Sequence, residues 1–201
     1  MSGEIEQLGY NLLDNIIGCY MYGSTVYGTD REDSDVDFIV VDRDQLQPEK
    51  KKTEGVVDLN FYSEEKFKQM LEEHDIAALE CMFLPSKFVS VNKIAMPELN
   101  LPKLRASISR TASNSFVKCK KKLIVEHDYY VGKKSLWHSL RILMFGIQIA
   151  QHGRIVDYSE ANSLWPEIVL CDKNDWEHYK FSYKGLHNQL STEFRKLAPK
   201  E

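Results

Sequence analysis

The stretch MYGSTVYGTDREDSDVDFIVV, residues 21–41, decides the fold of this chain. A small-residue turn, Gly23-Ser24, follows an apolar run, and Asp35 and Asp37 lead into a hydrophobic segment. Side chains alternate between the two faces of a strand, so the two carboxylates project to the same side, about 6.5–7 Å apart. Such a pair is costly to bury unless a cation lies between its members. Oxygen ligands favour Mg²⁺ or Mn²⁺, so the stretch predicts a metal site.

A second acidic strand is predicted at residues 55–61, GVVDLNF. Alternate apolar residues form one face of this strand, and Asp58 projects from the other. A lone aspartate in an apolar strand needs a partner. If the strand lies beside that of Asp37, Asp58 completes a three-carboxylate cluster with Asp35 and Asp37. The alternative is that Asp58 caps a strand end or forms a salt bridge.

The Gly23-Ser24 turn has the residue types of a phosphate-binding turn. Glycine lets the backbone approach a ligand closely, and a serine hydroxyl beside free N–H groups can bind a phosphate oxygen. The alternative is a plain strand-to-helix turn with a serine cap.

The full string of this stretch reads Gly-Ser-x-x-Tyr-Gly-x-x-x-x-Asp-Ser-Asp-x-Asp. Its eight fixed positions are Gly23, Ser24, Tyr27, Gly28, Asp33, Ser34, Asp35 and Asp37. The Gly-Ser turn and the Asp-x-Asp pair resemble the signature of the polymerase-β-type nucleotidyltransferase superfamily. The fuller string resembles nucleotidyltransferases associated with RNA-repair operons, the RlaP-like family. The resemblance implies an α/β (α+β) fold: a minimal nucleotidyltransferase core sheet with flanking helices, plus a C-terminal helical half.

The same resemblance implies a reaction, namely transfer of a nucleoside monophosphate from an NTP to an acceptor hydroxyl, with release of pyrophosphate. ATP is the expected donor, and an RNA end or a tRNA is the expected acceptor. Asp35, Asp37 and Asp58 would be the catalytic residues and would hold two Mg²⁺ or Mn²⁺ ions. Two alternatives stay open: nucleotidylation (AMPylation) of a protein or small-molecule hydroxyl, and a catalytically silent, antitoxin-like binding module. Retention of all three carboxylates argues against the silent module.

A helix predicted over residues 133–152 is the second informative element. At 100° per residue, Lys134, His138 and Arg141 lie within about 60° of one another, opposite the apolar face. The pattern therefore predicts that one face packs and the other presents three basic groups. It resembles the Lys-x-x-x-His-x-x-Arg helix of the same family, which implies that these residues bind the nucleotide together with the Gly-Ser turn. The alternative is an ordinary solvated helix face.

The charge of the chain is unevenly distributed. The formal net charge is −4, yet residues 103–154 contain eleven lysines and arginines against two acids, Glu126 and Asp128. A basic region beside an acidic half suits a site that binds phosphates. The cluster at residues 118–122 is the expected RNA contact, with a solvated helix face as the alternative.

The proline-punctuated stretch 96–102 predicts a boundary between a catalytic core, residues 1–95, and a helical substrate- and nucleotide-binding half, residues 96–201. No apolar run reaches the roughly 20 residues that span a bilayer, and the N-terminus lacks a signal-peptide pattern. An intracellular, cytoplasmic protein with no membrane partner is expected. The four cysteines show no metal-binding spacing and are expected to be reduced thiols in or near the core.

Hydrophobic periodicity predicts the remaining elements. Expected helices cover residues 4–16, 63–74, 75–83 and 107–125. Expected strands cover residues 19–22, 35–41 and 88–91, and residues 42–53 are expected to form an exposed, mobile hairpin loop. The terminal helices, within residues 173–196, carry aromatic side chains that either pack on the core or stack on bases.

Overall fold

The computed structural model describes residues 15–43, 49–52 and 57–200, and those residues form a mixed α+β structure. The chain divides into two compact units. The first, the sheet unit, comprises the described residues up to Glu73 together with Ala77–Glu98. The second, the helical unit, comprises His74–Ile76 and the residues from Leu99 onward.

The sheet unit is built on five strands within the described residues. They are β1 (Ile16–Tyr22), β2 (Val36–Asp42), β3 (Glu49–Lys52), β4 (Val57–Ser63) and β5 (Val89–Asn92). The strand order is β3-β4-β2-β1-β5. β2 and β4 are parallel, and the other neighbours are antiparallel.

Three short helices accompany the sheet: α1 (Ser24–Tyr27), α2 (Glu64–Glu72) and α3 (Ile76–Phe83). Ser63 caps α2, since its side chain accepts a hydrogen bond from the Lys66 backbone N–H at 3.1 Å. A short 3₁₀ turn, Ser86–Phe88, leads into β5.

The two faces of the sheet have different neighbours. One face carries an apolar cluster, whose buried members are Ile16, Cys19, Phe38, Val40, Leu59 and Phe61. On the other face, the Tyr20 ring stacks on Phe67 of α2, with ring centroids 5.8 Å apart. The alternation predicted for β4 is confirmed, because Leu59 and Phe61 belong to the apolar cluster and Asp58 lies on the opposite face.

The predicted boundary between the first helix and β1 is wrong. β1 begins at Ile16, so the predicted helix over residues 4–16 is wrong at its last residue; residues 4–14 lie outside the described part of the chain. β-branched Ile16 and Ile17 are buried in the sheet, an environment that favours a strand. Gly18 also lies within β1, where an added β-carbon would approach the Tyr20 ring to 2.7 Å.

The expected loop over residues 42–53 contains a strand, β3. Glu49–Lys52 pairs antiparallel with β4 at the edge of the sheet. Lysine is common on edge strands because its charge discourages further pairing. A run of charged residues was therefore compatible with a strand as well as with a loop. Residues 44–48 and 53–56 of this region lie outside the described chain.

The helical unit contains α4 (Leu101–Lys121), α5 (Tyr129–His152), α6 (Trp165–Ile168) and α7 (Trp176–Leu197). A π-helical segment, Lys122–Glu126, follows α4 directly, and a 3₁₀ turn, Glu160–Leu164, precedes α6. α4 begins before the predicted residue 107, because the Asn100 side chain caps its first turn by accepting from the Lys103 N–H at 3.0 Å. α5 begins at Tyr129, before the predicted residue 133, and ends at the predicted His152. Gly153 follows it in the left-handed conformation that is common after a helix.

Most of the aromatic side chains in the C-terminal helix are buried in the protein. Trp176, Tyr179, Tyr183 and Phe194 are buried, whereas Phe181 is 92% exposed. The four cysteines are free thiols, and all but Cys171 are buried, which confirms the expectation of reduced core cysteines. Among the described helices, none is long and apolar enough to cross a bilayer.

At Gly146, α5 packs closely against both α4 and α7. An added β-carbon would lie 2.8 Å from Ile108 Cγ2 of α4 and 3.1 Å from the Phe194 ring of α7. We expect Gly146→Ala to reduce the free energy of unfolding by about 1–3 kcal/mol through overpacking. Gly185→Ala is the matched control, since nothing lies within 4 Å of its β-carbon. The control should stabilise the protein by up to about 1 kcal/mol through helix propensity.

Urea unfolding of the three proteins, followed by circular dichroism, measures both changes. Equal midpoints for the two variants would contradict the packing described here.

Candidate active site

The candidate site begins with the register of β2 and β4. Asp37 lies directly opposite Asp58 on these neighbouring parallel strands. Residues opposite each other project from the same face, and neighbouring strands are about 4.8 Å apart. The strand of Asp58 therefore lies beside that of Asp37, which is the condition for a shared carboxylate cluster. Both aspartates are half-buried at the start of their strands.

Asp35 lies just before β2 and is also half-buried. In the described part of the chain, no group of three or more His, Cys, Asp or Glu side chains is arranged so that it could hold a metal ion. Because Asp35 precedes the strand, strict alternation does not fix its direction relative to Asp37. Joint metal binding by the three aspartates therefore stays a prediction.

Gly23 brings the backbone against the Asp37 carboxylate. Its φ is +80°, and an added β-carbon would lie 2.4 Å from Asp37 Oδ2. Only glycine fits this position without displacing the carboxylate, for both conformational and steric reasons. The residues therefore suit a bound cation: two carboxylates in register supply oxygen donors, and the turn beside them leaves no side chain in the way.

The Gly23-Ser24 turn continues into α1. The Gly23 carbonyl accepts hydrogen bonds from the N–H groups of Val26 and Tyr27, at 3.1 and 3.3 Å. Gly23 occupies the cap position and no side chain caps the helix. The alternative of a serine cap is therefore wrong. Ser24 is the first residue of α1 and is half-buried.

Sequence reasoning missed Glu80, which contacts Tyr27 at the end of α1 from α3. The Tyr27 hydroxyl donates a short hydrogen bond to Glu80 Oε2. The Glu80 residue is 1% exposed, within the apolar segment Ile76–Phe83. A single carboxylate in an apolar helix was the signal that could have identified it, because burying a charge is costly without a partner.

The basic helix α5 differs from its prediction. Lys134 is exposed and His138 is half-buried, but Arg141 is only 1% exposed. The prediction that this face presents three basic groups is therefore wrong at Arg141, whose side chain is buried. The reason is that α4, α7 and the 3₁₀ turn Glu160–Leu164 pack against α5, so residues on most sides of this helix are buried. The nucleotide-binding role of these residues stays a prediction.

Arg141 lies in an aromatic setting and contacts His138. Its guanidinium carbon is 4.9 Å from the centroid of the Phe145 ring and 5.4 Å from that of Trp137. Its Nη2 lies 2.7 Å from His138 Nδ1. Because a guanidinium has only donors, Nδ1 is the acceptor and the His138 proton is on Nε2.

His138 is surrounded by positive charge. Burial lowers its pKa well below the ordinary 6.5, and the charges of Arg141, Lys118 and Lys134 lower the pKa further. All four groups belong to α4 and α5. They form a cationic cluster within the helical unit, in which the imidazole is neutral at pH 7.

The basic run at residues 118–122 is partly neutralised. Lys122 Nζ lies 2.7 Å from Glu126 and 3.0 Å from Asp128, and Lys121 Nζ lies 2.9 Å from Glu126. Hydrogen bonds from these two lysines lower the pKa of Glu126 to about 2. Two lysines of the expected RNA-contact cluster are thus engaged within the protein.

Alanine substitutions at two glycines with positive φ can distinguish contact with Asp37 from backbone strain. Gly23→Ala and Gly153→Ala both place alanine at a φ above +70°, but only the first meets another side chain. Each should lose about 1–2 kcal/mol of stability. Only Gly23→Ala should also displace the Asp37 carboxylate and weaken Mn²⁺ binding, measured by electron paramagnetic resonance. Equal Mn²⁺ affinity in both variants would contradict this geometry.

The lowered pKa of His138 predicts a pH-dependent stability. The unfolded chain binds a proton at this histidine near pH 6.5, and the folded chain does so only at lower pH. The stabilisation is therefore present above about pH 6.5 and is lost as pH falls, by up to about 1.4 kcal/mol per pH unit. Urea unfolding between pH 5 and 7.5 should show a shallower dependence in His138→Gln. His152→Gln, at an exposed histidine at the end of α5, is the control and should keep the wild-type dependence.

Comparison with known proteins gives one family match, over the N-terminal part of the chain. A sequence model of the family described as "Nucleotidyltransferase domain" matches residues 5–99, slightly less than half of the chain. A comparison with curated protein sequences finds no match.

Comparison with solved structures finds two to which this chain is similar. One is a spectinomycin adenyltransferase from Enterococcus faecialis, determined with ATP and spectinomycin; it is 14% identical, with a TM-score of 0.49 over 96% of this chain and 98% of that chain. The other is a nucleotidyltransferase-like protein from Exiguobacterium sibiricum; it is 13% identical, with a TM-score of 0.32 over 98% of this chain and 72% of that chain.

The narrower resemblance to the RlaP-like family stays a prediction. The broader one agrees with the family match: residues 5–99, which hold the Gly-Ser turn and all three aspartates, match the nucleotidyltransferase domain family.

Proposed function

We propose that this protein is a metal-dependent nucleotidyltransferase that moves a nucleoside monophosphate from an NTP, with ATP as the donor, to an acceptor hydroxyl. One observation carries the proposal. Asp37 and Asp58 are in register on parallel strands, and the Gly23 backbone lies against the Asp37 carboxylate. The match of residues 5–99 to the nucleotidyltransferase domain family supports the same reaction class.

The proposed cation ligands are the three aspartates. Asp37 and Asp58 would hold Mg²⁺ or Mn²⁺ at the start of their strands, and Asp35 would contribute a further carboxylate. Two such ions, when bound, neutralise the charge of the phosphates and make the acceptor hydroxyl more acidic. Without a cation, carboxylates side by side repel each other, so the pair is better suited to binding than to stability.

The proposed phosphate ligands are neutral and cationic groups. The backbone at Gly23 and the hydroxyl of Ser24 would contact phosphate oxygens, because no side chain shields the turn. Lys134, His138 and Arg141 are proposed to bind the nucleotide as well. Their support is the positive charge of Lys134 and Arg141 on the same helix as His138, whose Nδ1 lies 2.7 Å from Arg141 Nη2. Positive charge of this kind stabilises bound phosphates.

The proposed reaction is one displacement at the α-phosphorus. The acceptor oxygen forms a bond to the α-phosphorus, and the bond between that phosphorus and the bridging oxygen to the β-phosphate breaks. Pyrophosphate leaves with the electron pair, and Asp58 accepts the proton of the attacking hydroxyl. Such a reaction needs alignment and charge stabilisation more than covalent help from the protein.

The proposed acceptor is a hydroxyl group, and the molecule that carries it is left to experiment. The sequence favours RNA because of the lysines at residues 118–122, but Lys121 and Lys122 form ion pairs with Glu126 and Asp128. Only Lys118 and Lys120 of the cluster are left as exposed cations without such a pair in the described structure. One transfer assay can distinguish RNA, protein and small-molecule acceptors.

The test incubates the protein with Mg²⁺ and each α-³²P-labelled NTP, separately with total RNA, with protein extract and with a set of small hydroxyl compounds. Transfer should occur in one acceptor class, with ATP as the best donor. Asp37→Asn and Asp58→Asn should each lower the rate at least about 100-fold, since they remove charged groups needed in the transition state.

The matched control is Asp42→Asn, which changes the same residue type at the far end of β2. It should keep activity within about twofold of wild type. Absence of transfer to every acceptor, with NTP binding intact, would contradict the enzymatic proposal and leave the silent binding module. Transfer that survives Asp58→Asn would contradict the assigned roles.

A further inference from the structure

We infer that Glu80 is a positioning residue of the candidate site: through Tyr27 it holds the Gly23-Ser24 turn against Asp37. The kinetic part of this inference rests on the proposed function. The structural part concerns only the order of the turn, and it can be tested without a ligand.

Glu80 is fixed in place by its own helix. Its neighbours on α3, Ala78, Leu79 and Cys81, are at most 1% exposed. α3 also contacts β1, since the Tyr20 hydroxyl lies 3.8 Å from the sulfur of Met82. A side chain on such a helix has little freedom, so its carboxylate is a fixed acceptor.

Tyr27 contacts both Glu80 and the Gly23-Ser24 turn. Its residue is 6% exposed, and its hydroxyl donates to Glu80 Oε2. Its ring packs edge-on against Tyr22, with centroids 6.3 Å apart. The backbone N–H of Tyr27 donates in turn to the Gly23 carbonyl at 3.3 Å. One residue therefore connects the buried carboxylate with the glycine.

Gly23 completes the connection to the candidate catalytic group. The position of its missing β-carbon is 2.4 Å from Asp37 Oδ2. A shift of the turn by a fraction of an ångström would therefore change the space available to that carboxylate. Three contacts join Glu80 to Asp37: hydroxyl to carboxylate, N–H to carbonyl, and glycine backbone to carboxylate.

The turn needs such an anchor because α1 cannot stabilise itself. The helix has four residues and no side-chain cap. A helix of one turn is unstable by itself, since nucleation costs more than its hydrogen bonds return. If Tyr27 only filled space, phenylalanine would replace it without effect on the turn. If its hydroxyl is the anchor, phenylalanine would release the turn and leave the packing in place.

The test compares Tyr27→Phe and Glu80→Gln with wild type. Amide hydrogen exchange of the ligand-free protein reports on residues 23–28. We expect Tyr27→Phe to speed exchange there about tenfold or more, which corresponds to the loss of one buried hydrogen bond to a carboxylate. Glu80→Gln keeps an acceptor oxygen and should stay within about threefold of wild type.

The kinetic readout is the split between KM and kcat in the transfer assay. Release of the turn should raise the KM for the NTP about tenfold in Tyr27→Phe, with a smaller change in kcat, because the turn is proposed to bind phosphates. Glu80→Gln should retain most of the wild-type KM.

Tyr183→Phe is the matched control. Tyr183 is also buried, and its hydroxyl donates to another glutamate, Glu167, at 3.4 Å within the helical unit. This variant should change neither the exchange at residues 23–28 nor the KM.

The exchange and transfer measurements can fail independently, so failure of the positioning role is distinguishable from failure of the proposed function. Exchange at residues 23–28 that is unchanged in Tyr27→Phe, or that rises equally throughout the sheet unit, would overturn the positioning role. Faster local exchange with a raised KM supports it. If wild type transfers no nucleotide, the proposed function fails, and the exchange result alone decides whether Glu80 orders the turn.

Discussion

The parallel pairing of β2 and β4 is the constraint on which the candidate site depends. It fixes Asp37 opposite Asp58 and sets both on the face away from the apolar cluster. A shift of register by one residue would move Asp58 to the other face and bury it among apolar side chains. The same alternation that builds the core thus presents the two carboxylates together, and packing and chemistry are specified by one set of contacts.

Around this pair, the protein uses buried polar groups to order short segments. Gly23 reaches the Asp37 carboxylate, and α1 is tied to α3 by the bond from Tyr27 to Glu80. In the helical unit, Arg141 lies over aromatic rings and donates to a neutral His138. Each arrangement costs desolvation that apolar residues would avoid.

Much of this was predictable from the sequence, and the exceptions have physical causes. Alternation in residues 57–61 predicted the faces of β4, and the resemblance carried by the Gly-Ser and Asp-x-Asp string implied the mixed α+β fold. Local periodicity could not predict that Arg141 is buried, because burial depends on which helices surround α5. It also could not predict β3, since an edge strand of lysines resembles a loop. Glu80 was missed because its partner, Tyr27, is 53 positions away in the chain.

The central claim is that Asp37 and Asp58 bind a divalent cation together. Electron paramagnetic resonance of Mn²⁺, titrated into wild type, Asp37→Asn, Asp58→Asn and the Asp42→Asn control in the presence of ATP, tests it most directly. We predict that each of the first two substitutions weakens Mn²⁺ binding at least about tenfold, while the control binds as wild type does. Unchanged Mn²⁺ binding in both Asp37→Asn and Asp58→Asn would contradict the account.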